Sequence, residues 1–512
     1  HLMFNGTENY NNEYFEPFEK IGSTDQNGTT NSDRTNYFQN VPTNAVDLAL
    51  WMESDRMGHL LGVVDQEKLD EQRGVVQNEK RQGENRPYGK AFTQISEAAF
   101  PKGHPYSWTT IGSMEDLDAA SLEDVQEWFK TYYGPNNAVL ALAGDIDMET
   151  AKEKVEKYFG DIPAGPPLVK PDVWIAKRNE EKRDIMYDNV PQARIYKAWN
   201  VPPRDTEAAA HFDLASSILV GGKNSPLFKE LVYEKQIATS VSAFYYDREI
   251  AGMFIVTVDV AASEDPIEVE REMDNVLQTF IQKGPNRKLL NAEKTKALAS
   301  FIRGAQRIGG FGGKSDLLAT CQTYTGNPGC YINNAKYIDE STSAKIKSTF
   351  SEWIDNTPYV LTILPSDKLT TNESTVDRSE GIPYPTEKIS FKFPTLQTAE
   401  LSNGAKVVLA ERKNIPLVEM NIQFDFGYAQ EDADQIGYTN FMMDMLNEGT
   451  KKYSSLEFDE VLDSLGANMG FGSDLDTSYV SISSLKSNLD ETLDLAKEAI
   501  MFPTFPKTEI AR

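Results

Sequence analysis

The chain has 512 residues and carries 51 Lys and Arg against 78 Asp and Glu, a formal charge of −27. That length predicts about two to four domains, and the acidic balance excludes a nucleic-acid partner held by Lys and Arg while fitting cationic or neutral peptides. Hydrophobic content of 40% and charged content of 25% are an ordinary globular mix, and no apolar run approaches the roughly 18–20 residues that cross a bilayer.

In chain order, Tyr14, Phe18 and Ile21 have helical spacing, with Gly22 as the stop and Pro17 confining the helix to its later turns. Gln26-Asn27-Gly28-Thr29-Thr30 reads as a turn leading into β-structure at Thr35–Phe38. Thr43 or Asn44 caps a helix from Ala45 to about His59, and a polar helix runs from Gln66 to near Arg86, where Pro87 and Gly89 stop it. Leu122, Val125, Trp128 and Phe129 form one stripe of a helix over 121–133. Val139-Leu140-Ala141-Leu142-Ala143-Gly144 has the composition of a short buried strand. The breaker-rich run Asp161–Pro167 marks a first boundary.

A second unit follows, with strands near Arg194–Trp199 and Met253–Val260 and helices near Glu207–Leu219 and 267–283. Cys321 and Cys330 close only a short loop if they pair, so no disulfide framework is expected. Residues 366–388 are polar, with Pro383 and Pro385, and read as a linker. Leu401-Ser402-Asn403-Gly404 signals a hairpin, and Val418, Met420, Ile422, Phe424 and Phe426 alternate as a half-buried strand does. The boundaries are therefore 1–165, 166–370, a linker at 371–395, and 396–512, in an α+β chain.

The last unit repeats the first. Phe4-Asn5-Gly6-Thr7 aligns with Asn447-Glu448-Gly449-Thr450, and Tyr14, Phe18, Ile21 and Gly22 with Phe458, Leu462, Leu465 and Gly466. Thr35-Asn36-Tyr37 aligns with Thr477-Ser478-Tyr479, so the offset stays between 442 and 444. A near-constant offset across several elements means duplication. The second copy has its own capping-box pattern, Ser454-x-x-Glu457. The position of His1 is taken there by Asp444, and that copy has no histidine, so imidazole ligation belongs to the first copy alone.

His1-Leu2-Met3-Phe4-Asn5-Gly6-Thr7-Glu8 resembles the pitrilysin/insulinase family of zinc peptidases, matching from the last histidine of the inverted His-x-x-Glu-His motif onward. Glu79, 78 residues later within Val75-Val76-Gln77-Asn78-Glu79, matches the family's third ligand. The likeness continues through His104-Pro105-Tyr106, Tyr133–Ala138, Ala143-Gly144-Asp145, Leu219–Gly222 and Ser225-Pro226-Leu227. It implies a zinc metalloendopeptidase with one Zn2+ per catalytic site, acting on peptides or small unfolded proteins. It also implies duplicated metallopeptidase domains, each a mostly antiparallel sheet packed with helices, closing as a clamshell in the full protein.

Two histidines four apart share one helical face and one metal. A glutamate from another helix completes three ligands and leaves a fourth position for water, whose pKa zinc lowers toward about 7. The motif's first histidine and its general-base glutamate would precede His1. The sequence thus reads as a fragment, with about 45 residues of the first unit expected upstream from the alignment of its copies. Tight zinc binding or catalysis is not expected of it alone.

Gln72, two turns before Glu79, stands where several family members have a supporting glutamate. A neutral amide there could still orient a ligand. Asn27, Gly28 and Thr29 resemble the family's substrate-binding edge strand, which takes an extended peptide by backbone pairing.

The bland readings run beside these. A lone histidine or a glutamate on a charged helix is ordinarily solvated surface, Gln72 structural, and Asn27-Gly28 only a turn. His59, His104 and His211 lack metal spacing. Ile308-Gly309-Gly310-Phe311-Gly312-Gly313-Lys314-Ser315 has isoleucine where a phosphate loop requires glycine, so a flexible loop is expected. The rival to the enzyme is a non-catalytic peptide-binding or structural member of the same fold. The style of the sequence suggests export to a bacterial periplasm or cell envelope.

Overall fold

The structure, a computed structural model, describes residues 1–354, 357–366, 395–411 and 416–511. The expected linker at 371–395 lies outside the described residues, apart from its last position. Strands are β1 (Thr24–Thr30), β2 (Thr35–Asn40), β3 (Lys182–Asp188), β4 (Arg194–Val201), β5 (Ala238–Tyr246) and β6 (Gly252–Val260). The later ones are β7 (Tyr359–Pro365), β8 (Gln397–Glu400), β9 (Lys406–Leu409), β10 (Leu417–Phe424), β11 (Asn468–Ser473) and β12 (Ser478–Leu485). With the helices between them they make a mixed α+β chain of mostly antiparallel sheets.

The central sheet has the order β3-β7-β4-β6-β5; only β3 and β7 run parallel. β4 and β6 are buried along almost their whole length because both their faces are covered. On one face, helices Glu207–Val220, Pro266–Lys283 and Ser343–Trp353 bury Phe212, Leu277 and Phe350 against Phe254 and Val256. Each starts at a side-chain cap (Thr206, Asp265, Thr342), as the helix's unpaired N–H groups require. On the other face, helix Ala91–Ala99 and the following Phe100 and Tyr106 pack against Tyr196, Ile255 and Leu361. Residues 91–106, grouped with the first unit by sequence, therefore help cover one face of the second unit's sheet.

The duplication is visible element by element. The 3-10 turn Thr43–Ala45 and helix Val46–Gly58 recur at Lys486–Asn488 and Leu489–Met501, each 443 residues later. Thr7 N and Thr450 N both donate to the carbonyl of the tyrosine three residues on, at 2.9 and 2.8 Å. Gly22 and Gly466, both at positive φ, end the equivalent helices. The β1–β2 hairpin corresponds to β11–β12. In the second copy β10 pairs with the outer edge of β12; among the described residues nothing pairs with that edge of β2.

Three expectations are corrected. Gln26–Thr30 is not a turn but most of β1; the turn is Asn31–Arg34, closed by Asn31 N to Arg34 O at 3.0 Å and by Asn31 Oδ1 accepting from two backbone amides. Gly28 serves close packing: a Cβ there would sit 2.9 Å from the Phe4 and Tyr37 rings. Val139–Gly144 is not a buried strand; it lies outside any ladder, with Val139 and Leu140 exposed. An apolar run expresses a preference for burial, but a strand also needs a paired neighbour, and no described strand lies beside it. The Gly-rich stretch at 308–315 is a loop, but a braced one, as set out below. Cys321 and Cys330 do pair, closing a single short loop.

Candidate functional site

His1 lies at the entry of the 3-10 turn Leu2–Phe4, which is fixed by Phe4 N donating to His1 O at 2.9 Å. The aromatic core beneath anchors that turn. Phe4 packs on Phe15, Tyr14 and Tyr37, and the buried Arg56 guanidinium lies 3.8 Å from the Tyr37 ring centroid and 4.5 Å from that of Tyr14. Burial opposes the charge on Arg56. The Glu53 carboxylate, with Tyr14 and Tyr37, outweighs it and holds the guanidinium above its ordinary pKa. Burial also pushes the Tyr37 hydroxyl, which meets Tyr133 at 3.1 Å, above its ordinary value. After the turn, Thr7 and Asn9 hydrogen-bond the buried Asp55 carboxylate, and Glu8 accepts from Gly62 N at 2.8 Å.

Glu79 comes from the other side, on helix Gln66–Glu84, which Asp65 caps by accepting from Lys68 N. Lys68 reaches back to Asn5 O at 2.8 Å and so ties the helix to the His1 segment. His1 Nε2 and Glu79 Oε2 lie 3.2 Å apart, with side chains 41% and 50% exposed. Two donors on a tetrahedral zinc, each about 2.0–2.1 Å from the metal, stand about 3.3–3.4 Å apart. Nitrogen and carboxylate oxygen at this separation therefore fit adjacent corners of such a site. The same distance also makes an ion pair when the imidazole is protonated.

Among the described residues no group of three or more His, Cys, Asp or Glu side chains is gathered to hold a metal. Gln72 is half-buried two turns earlier on the helix, and no hydrogen bond joins it to either donor. His104 is structural: Nδ1 accepts from Tyr106 N, which leaves Nε2 to donate to Trp174 O at 2.8 Å, and burial lowers its pKa. His211 pairs with Thr349 at 2.7 Å inside the second unit.

Asn27, Gly28 and Thr29 lie on β1, whose other edge has no partner among the described residues. Its register pairs Gly28 with Tyr37, so one face of the hairpin rests on the His1 core, and Asn27 and Thr29 share the opposite face with Phe38 and Asn36. The His1–Glu79 pair and the hairpin thus share the aromatic cluster around Phe4. Sequence reasoning missed Arg56 and Tyr37, which seat this arrangement. The Glu53-x-x-Arg56 spacing on a predicted helix was the available signal.

Residues 1–111 and 406–512 match the family model described as Insulinase (Peptidase family M16), and residues 119–297 match the Peptidase M16 inactive domain. The chain is 27% identical over 256 residues to the zinc protease PqqE of Helicobacter pylori, an alignment covering 49% of this chain and 56% of PqqE. It spans little more than half the length of that relative. Among solved structures it resembles a protease from Helicobacter pylori (TM-score 0.65, 21% identity, 71% of this chain and 87% of that one). It also resembles the periplasmic protease PqqL of Escherichia coli (TM-score 0.56, 16% identity, 100% of this chain and 61% of that one). Fold and sequence together define a relative of the M16 peptidases. The chain belongs to the M16, or insulinase, family, and the one family model that matches both ends restates the duplication.

Proposed function

We propose that this chain carries part of the catalytic site of a zinc-dependent endopeptidase that cleaves peptides or small unfolded proteins. The observation that carries this reading is the 3.2 Å approach of His1 Nε2 to Glu79 Oε2 from two separate elements. These two residues would hold the metal; when bound, zinc would polarise the scissile carbonyl and acidify a water. The chain's own residues do the rest. β1 offers the backbone groups of its free edge at Asn27–Thr29 to an extended peptide, on a hairpin whose Gly28–Tyr37 face packs on Phe4 of the His1 segment. Gln72 takes a supporting place along the same helix. Because pairing reads the backbone, sequence preference is broad.

The division into units at 1–165, 166–370 and 396–512 belongs to this proposal, with the last unit lacking the histidine. Export is proposed as well: the Cys321–Cys330 disulfide suits an oxidising compartment, and no described helix is long and apolar enough to cross a membrane.

The test is cleavage of a quenched fluorescent peptide by the protein at its natural length, with and without a chelator. Chelator-sensitive cleavage, lost in His1→Ala and in Glu79→Gln, is the expected result. Peptide binding without cleavage, unaffected by those substitutions, establishes the non-catalytic binding member instead.

A further inference from the structure

The Gly-rich run Ile308–Ser315 is seated against the β1–β2 hairpin. It is braced internally: Lys314 N donates to Arg307 O at 3.0 Å, Ser315 N to Ile308 O at 3.1 Å, and Arg307 reaches Phe311 O at 2.7 Å. Asp316 then joins the two bodies. One of its oxygens accepts from Gly312 N and the other from Asn36 on β2, both at 2.9 Å.

The glycines are what let the loop approach. A Cβ on Gly309 would stand 2.0 Å from Asn40 Oδ1. One on Gly310, already at φ +74°, would stand 3.2 Å from Asp25 at the start of β1. Phe311 lies over Phe38 and Arg34, at 6.3 and 5.9 Å. The loop therefore crosses both strands on the face that carries Asn27, Thr29, Asn36 and Phe38, opposite the His1 core. The hairpin tip is fixed separately by Asp33, which accepts from Tyr106 and from Glu249 N.

Two large apolar side chains of the loop stay open: Ile308 is 51% and Phe311 54% exposed. A peptide added to the free edge of β1 directs alternate side chains to this face.

Resting on the edge-strand reading above, we infer that the loop Arg307–Asp316 is a second wall of the peptide groove. Through Ile308 and Phe311 it selects extended segments bearing a large aliphatic or aromatic side chain on the loop-facing side. The site then discriminates among peptides by an apolar contact on one face while pairing their backbones without regard to sequence.

The experiment measures fluorescence anisotropy of labelled ten-residue peptides on the intact chain. One peptide carries a central leucine, a second carries serine there, and a third is the leucine peptide N-methylated on alternate residues. Both loop side chains are exposed, so Ile308→Ser/Phe311→Ser leaves the core untouched. The leucine peptide is expected to bind the parent about ten-fold more tightly than the serine peptide, the order of one well-buried apolar side chain. That preference is expected to vanish in the double variant, which should bind the leucine and serine peptides equally. If N-methylation weakens binding but the variant keeps the leucine preference, the loop inference is overturned and the edge-strand reading stands. If N-methylation has no effect, the edge-strand reading fails and the loop inference falls with it.

Discussion

Asp459 sits on helix Ser455–Ser464, which packs against helix Arg287–Gly304 of the second unit. The contact is lined with charge: Lys223 meets Glu448 at 2.7 Å and Asp459 at 4.0 Å, and Lys296 meets Glu293 at 3.2 Å and Asp463 at 2.6 Å. Burial pushes the Asp459 carboxyl up to about 6; Lys223 opposes the shift, while Asp463 and Glu448 add to it. Its folded value lies above the ordinary aspartate value of 3.8, so the folded state binds the proton more tightly than the unfolded state. Stability from this group is complete below about pH 4 and is lost as pH rises through about 6. The shift corresponds to about 3 kcal/mol at most. Asp459 keeps 23% of its side-chain surface, and partial solvation reduces the expected effect to about 1–2 kcal/mol.

Asp459→Asn removes the charge with little change of shape. It is expected to stabilise the protein near pH 7.5 by about 1–2 kcal/mol and near pH 5 by about half as much. A chain of several units need not unfold in one step, so the assay is local: hydrogen exchange of helix Ser455–Ser464, variant against parent at each pH. Exchange slowed about five- to thirty-fold near pH 7.5, and only about two- to five-fold near pH 5, is the expected outcome. An equal difference at both pH values refutes the argument from burial. Glu293, also raised by burial in the same contact, leaves a residual slope in both proteins.

Arg56→Met leaves Glu53 as a lone carboxylate beside the aromatic core and is expected to destabilise the first unit by about 3–5 kcal/mol, read as a lower thermal midpoint. Gly28→Val drives a side chain into Phe4 and Tyr37; a loss of about 1–3 kcal/mol is expected, with weaker peptide binding in anisotropy. Unchanged stability would show that the hairpin does not rest on the His1 core. Ser454→Ala removes the cap of helix Ser455–Ser464 and is expected to cost about 1 kcal/mol in chemical denaturation. In equilibrium dialysis, His1→Ala and Glu79→Gln should each abolish whatever zinc the parent retains; retention by both variants would separate the pair from the metal.

Sequence alone determined whatever depends on local periodicity and on repetition. The helices at Val46–Gly58, Gln66–Glu84 and Leu122–Tyr132, the strands β4, β6 and β10, and the 443-residue duplication follow from spacing, caps and offsets within one chain. The family motif pointed to His1 and Glu79 because ligand chemistry limits which residue types can serve.

Only the tertiary structure decided what depends on neighbours distant in the chain. Gly28 looked like a turn because Asn-Gly usually is one, but the approach of Phe4 makes the glycine necessary for packing. The run at 139–144 looked like a strand because it is apolar, yet no ladder partner lies beside it. Residues 91–106, well inside the first unit by sequence, pack on the open face of the second unit's sheet, a contact no local pattern announces. The Gly-rich loop gained a place only when Asn36 and Asp316, 280 residues apart, came within 2.9 Å. Hydrophobic patterning states which residues must be buried; which surface covers them is decided by the packing of the whole chain.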